Sequence, residues 1–309
     1  MTSVQRKSVV VDGLRLSYLE AGTGRPVLLL HGWPTNAELY RHALPAIGEN
    51  RRAIALDLPG FGASDKPLDR SYSFRFFDQL LTDVLAALGV ETLGLVVHDL
   101  GGPIGLHWAV SNADRITDLV LLNTVVFPEM SFAVKAFVAS TKLPLLRDLI
   151  SSPRGVAWAM RFGVSDESRI DAEVAKIYTD PYGDRASRKA LLKAGGSLHP
   201  KGFTTIERGL GALSMPLRIL YGEEDRILPN VAKTMARVQA LLPHAELTAI
   251  PDCGHFLQED RPEEVADLLA EFLGRGAPPH WAGAARQRGA QGGPPPTEVW
   301  PANTKGCGV

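Results

Sequence analysis

Apolar residues in this chain fall into short unbroken runs separated by stretches of helix length. "PVLLLHG" (26–32), "RRAIALDLPG" (51–60), "TLGLVVHD" (92–99) and "ITDLVLLNT" (116–124) carry too few residues for helices and lack the alternation of a half-exposed sheet. Runs that are apolar on both faces mark strands covered from both sides, which predicts a mainly parallel sheet between helices. "KSVVVDGLRLSYLEAG" (7–22) turns at Asp12-Gly13 and predicts an antiparallel hairpin on the sheet edge. "SFRFFDQLLTDVLAALG" (73–89) predicts one of the flanking helices.

After "LLNTVVFPE" (121–129) the rhythm stops. Residues 127–205 read as predominantly helical, punctuated by Pro128, Pro144, Pro153 and Pro181, and predict a helical cap inserted into the sheet domain. Strand and helix patterns resume in "MPLRILYGEED" (215–225), "LPNVAKTMARVQALLP" (228–243), "AELTAIPDCGH" (245–255) and "RPEEVADLLAEFLG" (261–274). The core is therefore expected over 1–126 and 206–274. From 275 to 309 Gly, Pro, Ala and Gln dominate, as in "GAQGGPPPTE", and a disordered tail is expected, with Trp281 and Trp300 as a weak docking motif.

Composition narrows the partners. Of 309 residues, 45% are hydrophobic and 22% charged, enough apolar residues for a large core. The formal net charge of −1 gives no basic field for nucleic acid or an anionic membrane, so a small, fairly uncharged hydrophobic partner is expected. No apolar run approaches the roughly 20 residues of a membrane span. Cys253 and Cys307 are the only cysteines, too few for a disulfide framework, which fits a reducing cytoplasm. Nothing in the pattern fixes the oligomeric state.

The chemistry-bearing residues sit at strand ends. "LVVHDLGGPIGLHWA" (95–109) reads as strand, sharp turn and helix, with Asp99 at the tip and Gly101 and Gly102 easing the turn; Val97 stands where a small residue is usual. Alone, Asp99 reads equally well as a helix N-cap. Three further stretches favour catalysis. "LLLHGWP" offers the backbone N–H of Trp33 to pair with that of Leu100 as an oxyanion hole. "ILYGEEDRILP" places Asp225 after a strand, with Glu223 and Glu224 as alternative acids, and "PDCGHFLQEDRP" places His255 before a helix. Nucleophile, acid and histidine follow in that order. His31 and His98 read as turn-shaping neighbours.

On "HGWPTNAELY", "DLPGFGASDKP", "HDLGGPIG" and "GHFLQEDRPEEV", residues 10–274 resemble the α/β-hydrolase superfamily, in particular its aspartate-nucleophile branch of haloalkane dehalogenases and epoxide hydrolases. The resemblance implies a cofactor-free, metal-free hydrolase with a triad of Asp99, His255 and Asp225. An aspartate is already ionised at neutral pH and needs no base to attack. Attack on an sp³ carbon gives an ordinary ester, whereas attack on a carbonyl would give an anhydride. His255, oriented by Asp225, would then activate water against the alkyl-enzyme ester.

Both families use donors for the leaving group, and this chain departs from both. Leu100 stands where dehalogenases carry a tryptophan, and Asn123 where some keep their acid. The indole of Trp33, and that of Trp158 in the cap, are left as possible halide donors. Epoxide hydrolases use two well-spaced cap tyrosines, but here Tyr178 and Tyr182 are close together, in a segment more like the dehalogenase cap. The expected activity is thus dehalogenase-like, with an epoxide hydrolase or a non-catalytic binding protein as alternatives. Phe127, Phe132, Phe137, Leu145, Phe162, Trp158 and Tyr178 are the candidate pocket residues.

Overall fold

The structure, a computed structural model, describes residues 2–129 and 132–275, with only the backbone for 132–134. Of the expected tail, 276–309 lie outside the described residues, and with them Trp281, Trp300 and Cys307. Eight strands form one sheet in the order β1-β2-β4-β3-β5-β6-β7-β8: β1 Gln5–Val11, β2 Leu14–Ala21, β3 Pro26–Leu30, β4 Arg52–Leu56, β5 Leu93–Asp99, β6 Ile116–Thr124, β7 Leu217–Gly222 and β8 Glu246–Ile250. The expected hairpin is present, with Val11 opposite Leu14, and β2 pairs antiparallel with β4. Every other pairing is parallel. The reason is visible in β6, where all nine residues are buried: a strand with no polar face must be covered on both sides.

Twelve α-helices follow among the described residues: α1 Ala43–Ile47, α2 Phe74–Ala87, α3 Gly101–Ser111, α4 Phe132–Ser140, α5 Pro144–Ile150, α6 Pro153–Gly163, α7 Ala172–Thr179, α8 Arg185–Gly196, α9 Pro200–Leu210, α10 Val231–Leu241, α11 Leu257–Asp260 and α12 Pro262–Gly274. The six between β6 and β7 are separated by local signals. Ser152, Asp171, Asp184 and His199 cap the N-termini of α6, α7, α8 and α9, and proline opens α5, α6 and α9. Helix α9 runs across the expected 205/206 boundary and packs on the sheet domain. Phe203 meets Phe74 of α2 edge-on with centroids 5.5 Å apart, and a Cβ at Gly209 would lie 2.7 Å from Val110 of α3. No helix among the described residues is long and apolar enough to cross a membrane.

Strand order sets the position of the site. From β3 the chain steps to β4 on one side and then to β5 on the other, so a crevice opens at the carboxyl ends of β3 and β5, the place where open α/β sheets bind ligands. At the opposite, amino ends of the strands lies a buried ion pair. Arg51 donates to Asp118 at 2.8 Å and to the carbonyl of Leu273 at 2.6 Å, and Thr117 donates to Asp118 at 2.6 Å. Both side chains are at most 3% exposed. Asp118→Ala, which strands the guanidinium, is expected to cost about 3 kcal/mol in urea denaturation, while Arg51→Met with Asp118→Leu should recover most of that loss. A loss below about 1 kcal/mol for the single variant would show that water reaches Arg51.

Candidate active site

Asp99 ends β5 with a positive φ of 47°, and α3 starts at Gly101. A non-glycine residue in this left-handed region is strained, and the surroundings hold it there. The Asp99 carbonyl accepts from the Thr124 hydroxyl at 2.7 Å. The carboxylate lies against Gly32, where an added Cβ would stand 2.2 Å from Oδ1, so only glycine fits before Trp33. Val97, the departure from a small residue, is accommodated by Gly105, whose absent Cβ would lie 2.6 Å from the valine.

Three sequence-distant residues meet at this turn. The Trp33 N–H donates to Asp99 Oδ1 at 2.7 Å, and the Leu100 N–H also donates to the carboxylate. His255 Nε2 lies 3.4 Å from Asp99 Oδ2, and its Nδ1 donates to Asp225 Oδ2 at 2.8 Å. Asp225 is fixed in turn by the N–H groups of Ile227 and Leu228, at 2.8 and 2.6 Å, and by Asn123 Nδ2 at 2.7 Å. Asn123 accepts from the Gly222 N–H at 2.9 Å, so the residue that replaces an acid on β6 positions the acid on β7. Glu223 and Glu224 point elsewhere: the first is exposed, and the second accepts from Ser165.

Burial and charge compete in this cluster. Burial alone would drive the proton off His255, but Asp225, by charge and hydrogen bond, and then Asp99 push its pKa up to about 10. Burial would raise Asp99 and Asp225, yet the imidazolium between them holds both below the usual carboxylate range, helped at Asp99 by the Leu100 N–H and at Asp225 by Leu228 and Asn123. His98 is the opposite case. Burial and the neighbouring His255 lower it to about 4, and its Nε2–H donates to the His255 carbonyl at 2.9 Å. His31, also lowered by burial, donates to the Gly32 carbonyl and accepts from the Leu58 N–H. Both are neutral supports.

Asp99 opens into a cavity of about 750 Å³ lined mainly by apolar groups, among them Trp33, Leu100, Phe137, Phe162 and Phe203. The Trp33 indole sits 4.5 Å from the Phe137 ring, and its buried Nε1–H has no hydrogen-bond partner among the described residues. Trp158 also lines the cavity, 63% exposed and stacked on Phe162. Three pocket expectations need correction. Tyr178 is fully buried away from the cavity because its hydroxyl donates to Glu259 and accepts from Arg41. Phe127 is buried under the Arg237 guanidinium, 3.8 Å from its ring, and faces Val231 and Thr234. Leu145 is 88% exposed and off the cavity, and the side chain of Phe132 lies outside what is described. Arg226 and His199 line the cavity without having been marked by sequence pattern. Arg226 directly follows Asp225, which is the only signal that could have placed it.

A family model described as the alpha/beta hydrolase fold matches residues 25–262. Haloalkane dehalogenase 2 of Mycobacterium tuberculosis is 29% identical, over 84% of this chain and 92% of its own. Epoxide hydrolase 3 of Xenopus tropicalis is 27% identical, over 85% of this chain and 75% of its own. The crystal structure of the haloalkane dehalogenase DatA from Agrobacterium tumefaciens C58 superposes with a TM-score of 0.77 at 24% identity, covering 88% of this chain and 97% of that one.

The His255 proton is retained in the fold up to about pH 10 and in an unfolded chain only to about 6.5. Its contribution to stability is therefore complete below pH 6.5 and lost as pH rises from there to 10. The difference in unfolding free energy between the wild type and His255→Ala should shrink across that interval. In imidazole ¹⁵N spectra, Asp225→Asn should bring the titration well below 10, toward the ordinary value. A histidine that titrates near 6.5 in the wild type would overturn this charge assignment.

Proposed function

The chain belongs to the alpha/beta hydrolase fold family and is an α/β-fold hydrolase, and from that premise we propose that it works through an alkyl-enzyme ester on Asp99, as a haloalkane dehalogenase-like enzyme. The observation that carries this reading is the Asp99 carboxylate itself. It is ionised, strained into the cavity and held by the Trp33 amide at Oδ1, while Oδ2 faces His255. An sp³ carbon in the apolar cavity is attacked by the carboxylate and its halide leaves with the bonding electrons. Trp33 Nε1–H, on a residue that lines the same cavity as Asp99, has no partner among the described residues, and it takes the halide.

Alkylation turns Asp99 into a neutral ester and removes one of the two charges that keep His255 protonated. The imidazolium then releases its proton to water and becomes the base. It takes a proton from a water molecule that attacks the ester carbonyl, whose oxygen, Oδ1, lies 2.7 Å from the Trp33 N–H. Collapse of the tetrahedral oxyanion breaks the bond between the carboxyl carbon and the alkoxy oxygen; the alkoxide takes the proton of the added hydroxyl and leaves as the alcohol, and Asp99 is again a carboxylate beside the His255 imidazolium. The epoxide alternative is weaker because no tyrosine is among the described residues lining the cavity to protonate an opening ring. The binding-protein alternative gives His255 and Asp225 nothing to do.

His255→Ala incubated with bromoalkanes should accumulate protein heavier by one alkyl group, mapped to Asp99 by peptide mass spectrometry. Epoxides should leave it unmodified. An adduct with aromatic epoxides alone would move the activity to the epoxide class, and no adduct with either would remove Asp99 as nucleophile. Trp33→Phe keeps the backbone amide but removes the indole donor, and should slow alkylation by roughly 10- to 100-fold in single-turnover kinetics. An unchanged rate would mean that the halide is held by another group.

A further inference from the structure

A second groove, about 730 Å³ in volume, adjoins the active-site cavity and shares Lys142, Gly196 and Ser197 with it. One wall is the face of α8 that carries Arg185, Arg188, Lys189 and Lys193. The other is the α4–α5 turn and α5, with Lys142 and Arg147. Against six cations stands one lining carboxylate, Asp148. Arg147 reaches Asp148 at 3.7 Å, and Lys193 donates to the Leu68 carbonyl at 2.7 Å. Lys142, Arg185, Arg188 and Lys189 have no acidic partner among the described residues lining the groove.

The spacing on α8 places like charges one turn apart, which disfavours the helix unless an anion offsets them. The asymmetry is regional. Residues 127–205 contain twelve Lys and Arg against eight Asp and Glu, in a chain whose net charge is −1, so the chain-wide balance averages it away. A concave wall of one sign focuses its field on whatever enters. Guanidinium groups at Arg185 and Arg188 suit the paired oxygens of a carboxylate or phosphate.

We propose that this groove holds the head group of the substrate, and that the molecule turned over at Asp99 is an amphiphilic anion. Its alkyl chain lies in the apolar cavity with the reacting carbon at Asp99, and its carboxylate or phosphate lies in the groove beyond Lys142. The inference rests on the Asp99 reading for the chemistry and on the groove alone for the charge preference.

The test separates the two. Dodecyl phosphate and dodecanol, each below its aggregation limit, are titrated into the wild-type protein by calorimetry. The phosphate should bind at least about tenfold more tightly at low salt, and the preference should collapse at about 0.5 M salt and in Arg188→Glu with Lys189→Glu. In parallel, His255→Ala is given an ω-bromoalkanoate and a bromoalkane of equal chain length, and the anionic bromide should alkylate Asp99 faster. Equal affinity for phosphate and alcohol would overturn the head-group site whatever Asp99 does. A phosphate preference with no adduct from either bromide would keep the site and overturn the Asp99 reading. Binding to anionic vesicles with no preference for monomeric phosphate would assign the groove to a lipid surface and overturn the proposal.

Discussion

One proton, held on His255 between the carboxylates of Asp99 and Asp225, organises the carboxyl end of this sheet. The imidazolium helps to hold Asp99 and Asp225 below the usual carboxylate range, and the two carboxylates hold its proton against the effect of burial. The arrangement is therefore cooperative. The strained backbone at Asp99, the amides of Trp33 and Leu100 and the brace from Asn123 to Asp225 all maintain a geometry that the three side chains alone would not keep. In the proposed reaction the same coupling makes His255 a base only when needed, because esterification of Asp99 takes away part of what holds the proton.

The sheet delivers these groups from five strand ends. Asp99 comes from β5, the Trp33 amide from just beyond β3, Asn123 from β6 and Asp225 from just beyond β7, with His255 on the loop after β8. Because the crevice forms where the strand order reverses, a nucleophile after β5 and an amide after β3 are neighbours by topology. Helices α4–α9 supply most of the remaining walls, and with them the difference between an apolar interior and a cationic approach.

What could be read from the chain follows from which signals are local. Parallel strands announce themselves as apolar runs, the hairpin as Asp12-Gly13, and the polar cluster as residues stranded at the ends of such runs, so the sheet and the meeting of Asp99, Asp225 and His255 were legible. Cap side chains were legible only in part: Phe137, Phe162 and Trp158 line the cavity as expected, but an apolar or aromatic residue in a helical insert can face the cavity or the core with the same local pattern. Tyr178 was drawn inward by Glu259, which is 81 residues away, and Phe127 was covered by Arg237. The role of Asn123 was hidden for a similar reason: an amide looks like a lost acid until its partner on the next strand is seen. The cationic groove depends on which face of α8 meets the α4–α5 turn.

The central claim is that Asp99 forms a bond to carbon, and an isotope experiment addresses it most directly. A single turnover of a bromoalkane with enzyme in excess in H₂¹⁸O should place the heavy oxygen in the Asp99 carboxylate, because water attacks the ester carbonyl, and should leave the first-formed alcohol unlabelled. Label in the alcohol with Asp99 unlabelled would mean that water attacks the substrate directly with Asp99 as its base, and would contradict the covalent account.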